Sequence, residues 1–173
     1  MSLAVKTILR REIIRILQEE IEFYVTEGDT GETITSDTVF FQKTLKNRSF
    51  ESNRQLSDFP CLFVEGSSGT EISVPEGENS RDIWTHKFLV QILDKDMWDN
   101  ENRQATWDKW QEQIASYFHF HQFDGLLYES QGCSINCSAI PVDDIDEKRW
   151  VAHGMFVMGI IISVDVVQLR GLI

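Results

Sequence analysis

The sequence predicts an α+β fold: a mixed, mainly antiparallel four-stranded sheet packed by two helices, with a long projecting loop or hairpin arm. Three observations carry this. Apolar residues recur at spacings of three and four over 3–25 and again over 99–120, the period of a helix with one buried face. Four other stretches, 59–66, 82–93, 132–141 and 150–169, alternate or are continuously apolar, as strands do. The strands come in consecutive pairs with turn-like connectors, which favours antiparallel neighbours.

In the first helix, Leu3, Thr7, Ile8, Ile14, Leu17, Ile21 and Val25 mark the stripe, broadened by Ile13 and Ile16. Ser2 is placed to cap it, and Glu27, Gly28 and Asp29 to end it. Residues 28–58 are the least regular part, rich in Thr, Ser, Asn and Asp, with one β-prone run at 38–41 and a possible partner at 43–45. A loop this long in a compact domain is uncommon. It reads either as a projecting arm or as a surface loop.

The next strand starts at Pro60 and stops at Gly66, and 66–80 read as a projecting turn. In the strand at 82–93, Trp84, His86, Phe88, Val90 and Ile92 share the more apolar face, and the other face mixes Leu with Thr, Lys and Gln. An acidic connector leads to the second helix, whose stripe is Trp107, Trp110, Ile114, Tyr117, Phe118 and His121. Cys133, Ile135, Cys137 and Ala139 share a face of the third strand. An acidic turn at 142–149 follows. The closing strand at 150–169 is apolar on both faces in its middle and is therefore expected to be central.

The chain has 173 residues, enough for one domain, 1–173, with a real core. It has 28 acidic against 16 basic residues, a net charge of −12, which argues against a broad phosphate-binding face. The apolar run in residues 1–11 is broken by Lys6, Arg10 and Arg11, unlike a signal peptide. The apolar stretch from 154 to 167 carries Asp165 and falls short of the roughly 20 residues of a membrane helix. Three cysteines, Cys61, Cys133 and Cys137, suit free thiols better than a disulfide framework.

Among residues with chemistry, His119, His121, Cys133 and Cys137 form the one metal-like set. Two imidazoles and two thiols suffice for zinc, but the spacing fits no finger signature, and cysteines alternating in a strand act as small core residues. No cationic motif adjoins the thiols to activate them. His86 and His153 sit inside strand patterns, as core or interface residues do. Acidic clusters at Asp94, Asp96 and Asp99, and at Asp143, Asp144, Asp146 and Glu147, lack the fixed glycine of an EF-hand loop and read as solvated turns. No phosphate loop, nucleophile elbow or His-Glu-x-x-His is present, so no catalytic activity is expected. Five Trp and eleven Phe exceed what a core needs and hint at surface buried against copies of the chain.

The layout resembles that of the tail terminator (tail completion) proteins of long-tailed bacteriophages. The similarity rests on the opening helix, the Pro-started strand at 59–65 leading to a projecting turn, the strand at 85–93 before an amphipathic helix at 99–120, and the closing strand at 154–164. It covers most of the chain except 28–58.

The resemblance implies a non-enzymatic virion protein at the tail–head junction, assembled in the host cytoplasm without cofactor or membrane. Its copies would form a homo-hexameric ring that caps the tail tube, ends tube polymerisation and presents a face to the head connector. Its partners would be itself, the tail tube protein, a head connector or neck protein and, as a further candidate, the sheath, with DNA only as transiting cargo. Within that reading Phe40, Phe41 and Leu45 are expected at subunit interfaces. The acids at 94–99 and 143–147 are expected at the rim or lumen, where carboxylates repel DNA. Another head–tail connector or neck protein shares this layout, and a small zinc-binding protein is the remaining alternative.

Overall fold

The structure is a computed structural model and describes residues 4–41, 59–73, 81–95, 100–127, 132–142 and 155–169. The order is α1 (Val5–Glu19), a one-turn 3-10 helix (Ser36–Thr38), β1 (Val39–Phe41), β2 (Cys61–Ser73), β3 (Arg81–Lys95), α2 (Glu101–Phe118), β4 (Cys133–Val142) and β5 (Met155–Leu169). The α+β class is as expected. The sheet has five strands rather than four, in the order β1-β2-β3-β5-β4. The added strand, β1, lies parallel to β2, with Val39 opposite Leu62, and every other pairing is antiparallel. β5 is internal, between β3 and β4, as its two apolar faces predict.

Both helices cover one face of the sheet, α1 over β1 and β2, α2 over β4 and β5. Leu9, Ile13, Ile16 and Leu17 of α1 and Trp107, Trp110, Ile114 and Phe118 of α2 are buried there. They meet Leu62 and Val64 of β2, Phe88, Val90 and Ile92 of β3, and Ile160, Ile162, Val164 and Val166 of β5. Trp107 stacks on Phe156 at 3.6 Å between ring centroids. The opposite face carries a smaller cluster of Phe59, Cys61, Phe63 and Leu93, joined by Phe40 and Val157.

α1 ends at Glu19, earlier than the expected 25, because residues 21–26 leave the helix and run extended along α2. There α2 side chains satisfy their backbone. Gln113 Nε2 donates to the Glu22 carbonyl at 3.1 Å, and Trp110 Nε1 to the Tyr24 carbonyl at 2.9 Å. The Thr26 N–H donates to Thr106 Oγ1 at 3.0 Å, and Asn102 Nδ2 donates to the Gly28 carbonyl at 3.2 Å. Two extended residues advance about 6.6 Å and one helical turn about 5.4 Å, so each alternate residue meets the next turn of α2. Phe23 is buried, while Glu22 and Tyr24 face outward. Ser2 lies outside the described residues, and Ala4 caps α1 without a side-chain bond.

Residues 28–41 are not an arm: Asp29, Ile34 and Val39 are buried against the body. The rest of the expected arm, 42–58, lies outside the described residues. β2 runs past the expected stop at Gly66 to Ser73, because 70–73 pair with 83–86 of β3 after a register shift at 66–70. Such an irregularity tolerates Gly and Ser within a ladder. The remainder of that turn, 74–80, and the acidic turn from 143 on lie outside the described residues.

A second register shift, at Ser134–Asn136, overturns the expected single face of β4. Cys137 and Ala139 point into the core opposite Val164 and Ile162, whereas Cys133 and Ile135 are exposed. Gly132, before β4, has φ of +102°, and a Cβ there would lie 2.1 Å from the Val167 carbonyl oxygen, so only glycine fits.

Candidate functional site

α2 starts at Asn100, whose side chain accepts the Arg103 N–H at 3.1 Å. The cap aims Arg103 inward, four residues ahead of Trp107 on the buried stripe. The Arg103 guanidinium lies between two carboxylates. Its Nε and Nη2 donate to Asp94 Oδ2 at 2.7 and 2.6 Å, and its Nη1 to Asp29 Oδ2 at 3.0 Å. Each carboxylate has further donors. Asp94 accepts from Trp107 Nε1 at 2.7 Å and the Lys95 N–H at 2.8 Å. Asp29 accepts from Thr106 Oγ1 at 2.6 Å and the Gly31 N–H at 2.9 Å.

Arg103 and Asp94 are each 2% exposed and Asp29 is 9%. Burial works against ionisation of Asp29. The Thr106 and Gly31 hydrogen bonds and the guanidinium outweigh it and hold the carboxyl below its usual range. The network joins the segment before β1, the end of β3 and the start of α2. With every carboxylate so engaged, it holds three segments in register.

Asp94 was expected as a solvated rim or lumen acid, and this position is corrected: it is a buried partner of Arg103. The other acids of that set, Asp96, Asp99, Asp143, Asp144, Asp146 and Glu147, lie outside the described residues, as do Leu45 and His153. Of the expected interface aromatics, Phe40 packs against Phe63 within the chain, at 5.7 Å between rings. Phe41 is 44% exposed, with the Arg10 guanidinium 4.1 Å from its ring centre. Phe41 is therefore the exposed one of the pair, and Phe40 belongs to the chain's own packing.

The metal-like set is dispersed in environment. Cys137 is buried, and burial first, then the Asp165 charge, pushes its thiol up to about 12, against the thiolate a metal needs. Cys133 is exposed. His121 packs among Tyr117, Phe118 and Phe123, and His119 lies beside Phe120. Among the described residues no three His, Cys, Asp or Glu side chains come together as a metal site. His86 is 5% exposed, in the middle strand between Thr70 and Val164, and neither ring nitrogen has a hydrogen-bond partner among the described residues.

Two surface features were not anticipated. Phe120, just past α2, has φ of +61° and is 71% exposed, and its N–H donates to the Cys137 carbonyl of β4 at 2.9 Å. A groove of about 430 Å³ lies between the end of α1 and residues 33–36. Its floor includes Leu17, Phe23 and Ile34, which are buried, and Glu20 and Glu22 stand at it. The Tyr117 hydroxyl donates to Glu20, tying the groove to the C-terminal end of α2. No sequence signal marks a positive φ at a phenylalanine. The groove arises where the chain leaves α1, the boundary that helical periodicity overran.

Comparison with protein-family models and with curated proteins gives no match for the chain. Among the described residues, no helix is long and apolar enough to cross a membrane.

Proposed function

We propose that the protein is a structural subunit of a phage tail terminator. Copies of it close into a ring of six on the end of the tail tube, halt tube growth and meet the head connector. The observation that carries this reading is the sheet with two unlike ends. β1 and β4 terminate the described strand order, and an exposed phenylalanine stands at each, Phe41 on β1 and Phe120 beside β4. A ring needs two different complementary patches on each subunit, because head-to-tail contacts must close on themselves. The α+β layout, with two helices on one sheet face, agrees with the family resemblance, and the net charge of −12 suits a channel that passes DNA without holding it.

The test is the mass of the purified protein by light scattering, with electron microscopy of the same sample. Six 20.1 kDa chains give roughly 120 kDa and a ring in projection. A mass of one chain at every concentration, with no binding to isolated tail-tube ends, refutes the reading.

A further inference from the structure

We infer that the helix layer pairs successive subunits by charge. The α1 flank bearing Arg10 and Arg11 of one copy meets the α2 flank bearing Glu101, Asp108 and Glu112 of the next. The contact rests on the ring reading above.

The basic flank belongs to the β1 end of the sheet. The Arg10 guanidinium lies over the Phe41 ring of β1 at 4.1 Å. Gln18, about two turns further along α1, donates to the Ser36 and Val39 carbonyls. Arg11, next to Arg10, is exposed. Neither arginine forms an ion pair with a described carboxylate. Burial first, and then the Arg11 charge, hold Arg10 below its ordinary range, with no acid to offset them. The glutamates of α1 and its end turn the other way: Glu12, Glu19 and Glu20 gather round Arg15, and Glu20 also accepts from Tyr117 of α2. Asp37, exposed in the turn before β1, lies by Gln18, away from Arg10.

The acidic flank belongs to the β4 end, since α2 covers β4 and β5. Asn102, Thr106, Trp110 and Gln113 face the extended residues 22–28, which continue from α1. At about 100° per residue, Glu101, Asp108 and Glu112 lie roughly 140° round the helix from that side. All three are exposed, and none forms an ion pair with a described cation. Lys109, their neighbour in sequence, is turned to Tyr24, its Nζ 5.8 Å from the ring centre. Residues 133–142, which form β4, contain no charged residue to oppose them.

Strand register sets the two flanks at one level. Phe41, under Arg10, pairs with Val64, and Val64 pairs with Val90 of β3. Gln111, beside Glu112, donates to the Gly159 carbonyl at 3.0 Å, and Gly159 pairs with Gln91 of β3. Arg10 and Glu112 thus stand at adjacent residues of the middle strand. The strand order puts β1 and β4 at opposite ends of the sheet. A rotation about an axis along the strands then carries one flank to the other with little axial shift, as a closed head-to-tail ring requires. Exposed ion pairs contribute little singly. Their effect is selection: copies of net charge −12 repel, and this approach sets acids against bases.

The test uses two full-length variants, Arg10→Glu with Arg11→Glu, and Asp108→Lys with Glu112→Lys. Each alone should stay folded by circular dichroism and assemble roughly 30-fold or more weakly, because like charges then face each other. Mixed in equal amounts, the two should form rings again, since every joint between unlike variants has opposite signs. Native mass spectrometry should find equal numbers of the two chains in those rings. If either variant alone assembles like wild type, or the folded pair does not recover on mixing, the charged contact is wrong and the ring stands. Variants that form rings but no longer bind tube ends place these flanks against the tube, which also overturns the contact between copies. If the wild type remains a single chain at every concentration and on tube ends, the ring reading falls and the contact falls with it.

Discussion

Replacing Arg103 with Met tests the buried network directly. Methionine keeps much of the aliphatic stem that lies beside Trp110, whose ring centre is 5.1 Å from the guanidinium carbon. What disappears is the charge and the bonds to Asp94 at 2.6 and 2.7 Å and to Asp29 at 3.0 Å. Two carboxylates then remain buried with only neutral donors. Removing one partner of a buried ion pair costs about 3–5 kcal/mol, out of a total stability of roughly 5–15 kcal/mol. For a chain of this length that is a fall in Tm of roughly 6–20 °C. Chemical denaturation should show the matching fall in midpoint. The double variant Arg103→Met with Asp94→Asn should lose less than the sum of the single changes, because the residual buried charge is smaller.

The pH dependence gives the sharper reading. In the wild type the depressed Asp29 carboxyl contributes stability above its unfolded value of 3.8, and that contribution is lost as pH falls through and below it. In Arg103→Met the sign turns, because a buried carboxyl without a counter-charge favours its neutral form. The deficit relative to wild type should therefore shrink from pH 7 to pH 4.5. A deficit below about 1 kcal/mol at pH 7, or one equal at both pH values, refutes the argument that paired charge holds these segments together.

Two further predictions use the buried titratable groups. Burial first, and the nearby Lys6 charge second, hold His86 below its ordinary 6.5, so the unfolded chain takes up a proton there that the folded chain resists. Stability is complete above that value and declines as pH falls below it. Thermal unfolding at pH 7.5 and 5.5 should show the loss, and His86→Phe, which keeps an aromatic ring beside Trp84, should reduce it; an unchanged difference removes His86 as its source. In the native protein iodoacetamide at pH 8 should label Cys133, which is exposed, and spare Cys61 and Cys137, which are buried, the latter with its thiol pushed up to about 12. Peptide mass spectrometry decides this, and labelling of Cys137 without unfolding contradicts its placement.

The helices and long strands were legible because each buries one continuous apolar face. The stripe Trp107, Trp110, Ile114 and Phe118 lies inside α2 as its spacing predicts, and Phe88, Val90 and Ile92 lie inside β3. The end of α1 was not legible, since Leu17, Ile21 and Val25 also fit a helical period. The competing period of two, with Phe23 inward and Glu22 and Tyr24 outward, was in the sequence but spans too few residues to stand out. The three residues of β1 were too short to identify as a strand of the main sheet. The network was hidden by distance along the chain: Asp29 and Arg103 are 74 residues apart. One signal was available, for Arg103 and Gln111 occupy positions on the apolar stripe of α2, where a charged or polar side chain needs a buried partner. The register shift in β4 that turns Cys133 outward leaves no compositional trace.

The strap from Glu20 to Gly28 sets a schedule for making the protein. Its bonds reach residues that follow it by 74 to 97 positions. At a synthesis rate of about 5–20 residues per second, the strap waits roughly 4 to 20 s before the last of α2 has been made. Through that interval Phe23 lacks the Trp110 ring that packs against it, and α1 emerges as a short helix of marginal stability by itself. The strap is thus made well before the helix that secures it, and the time between the two on the ribosome is when this segment most needs protection from aggregation.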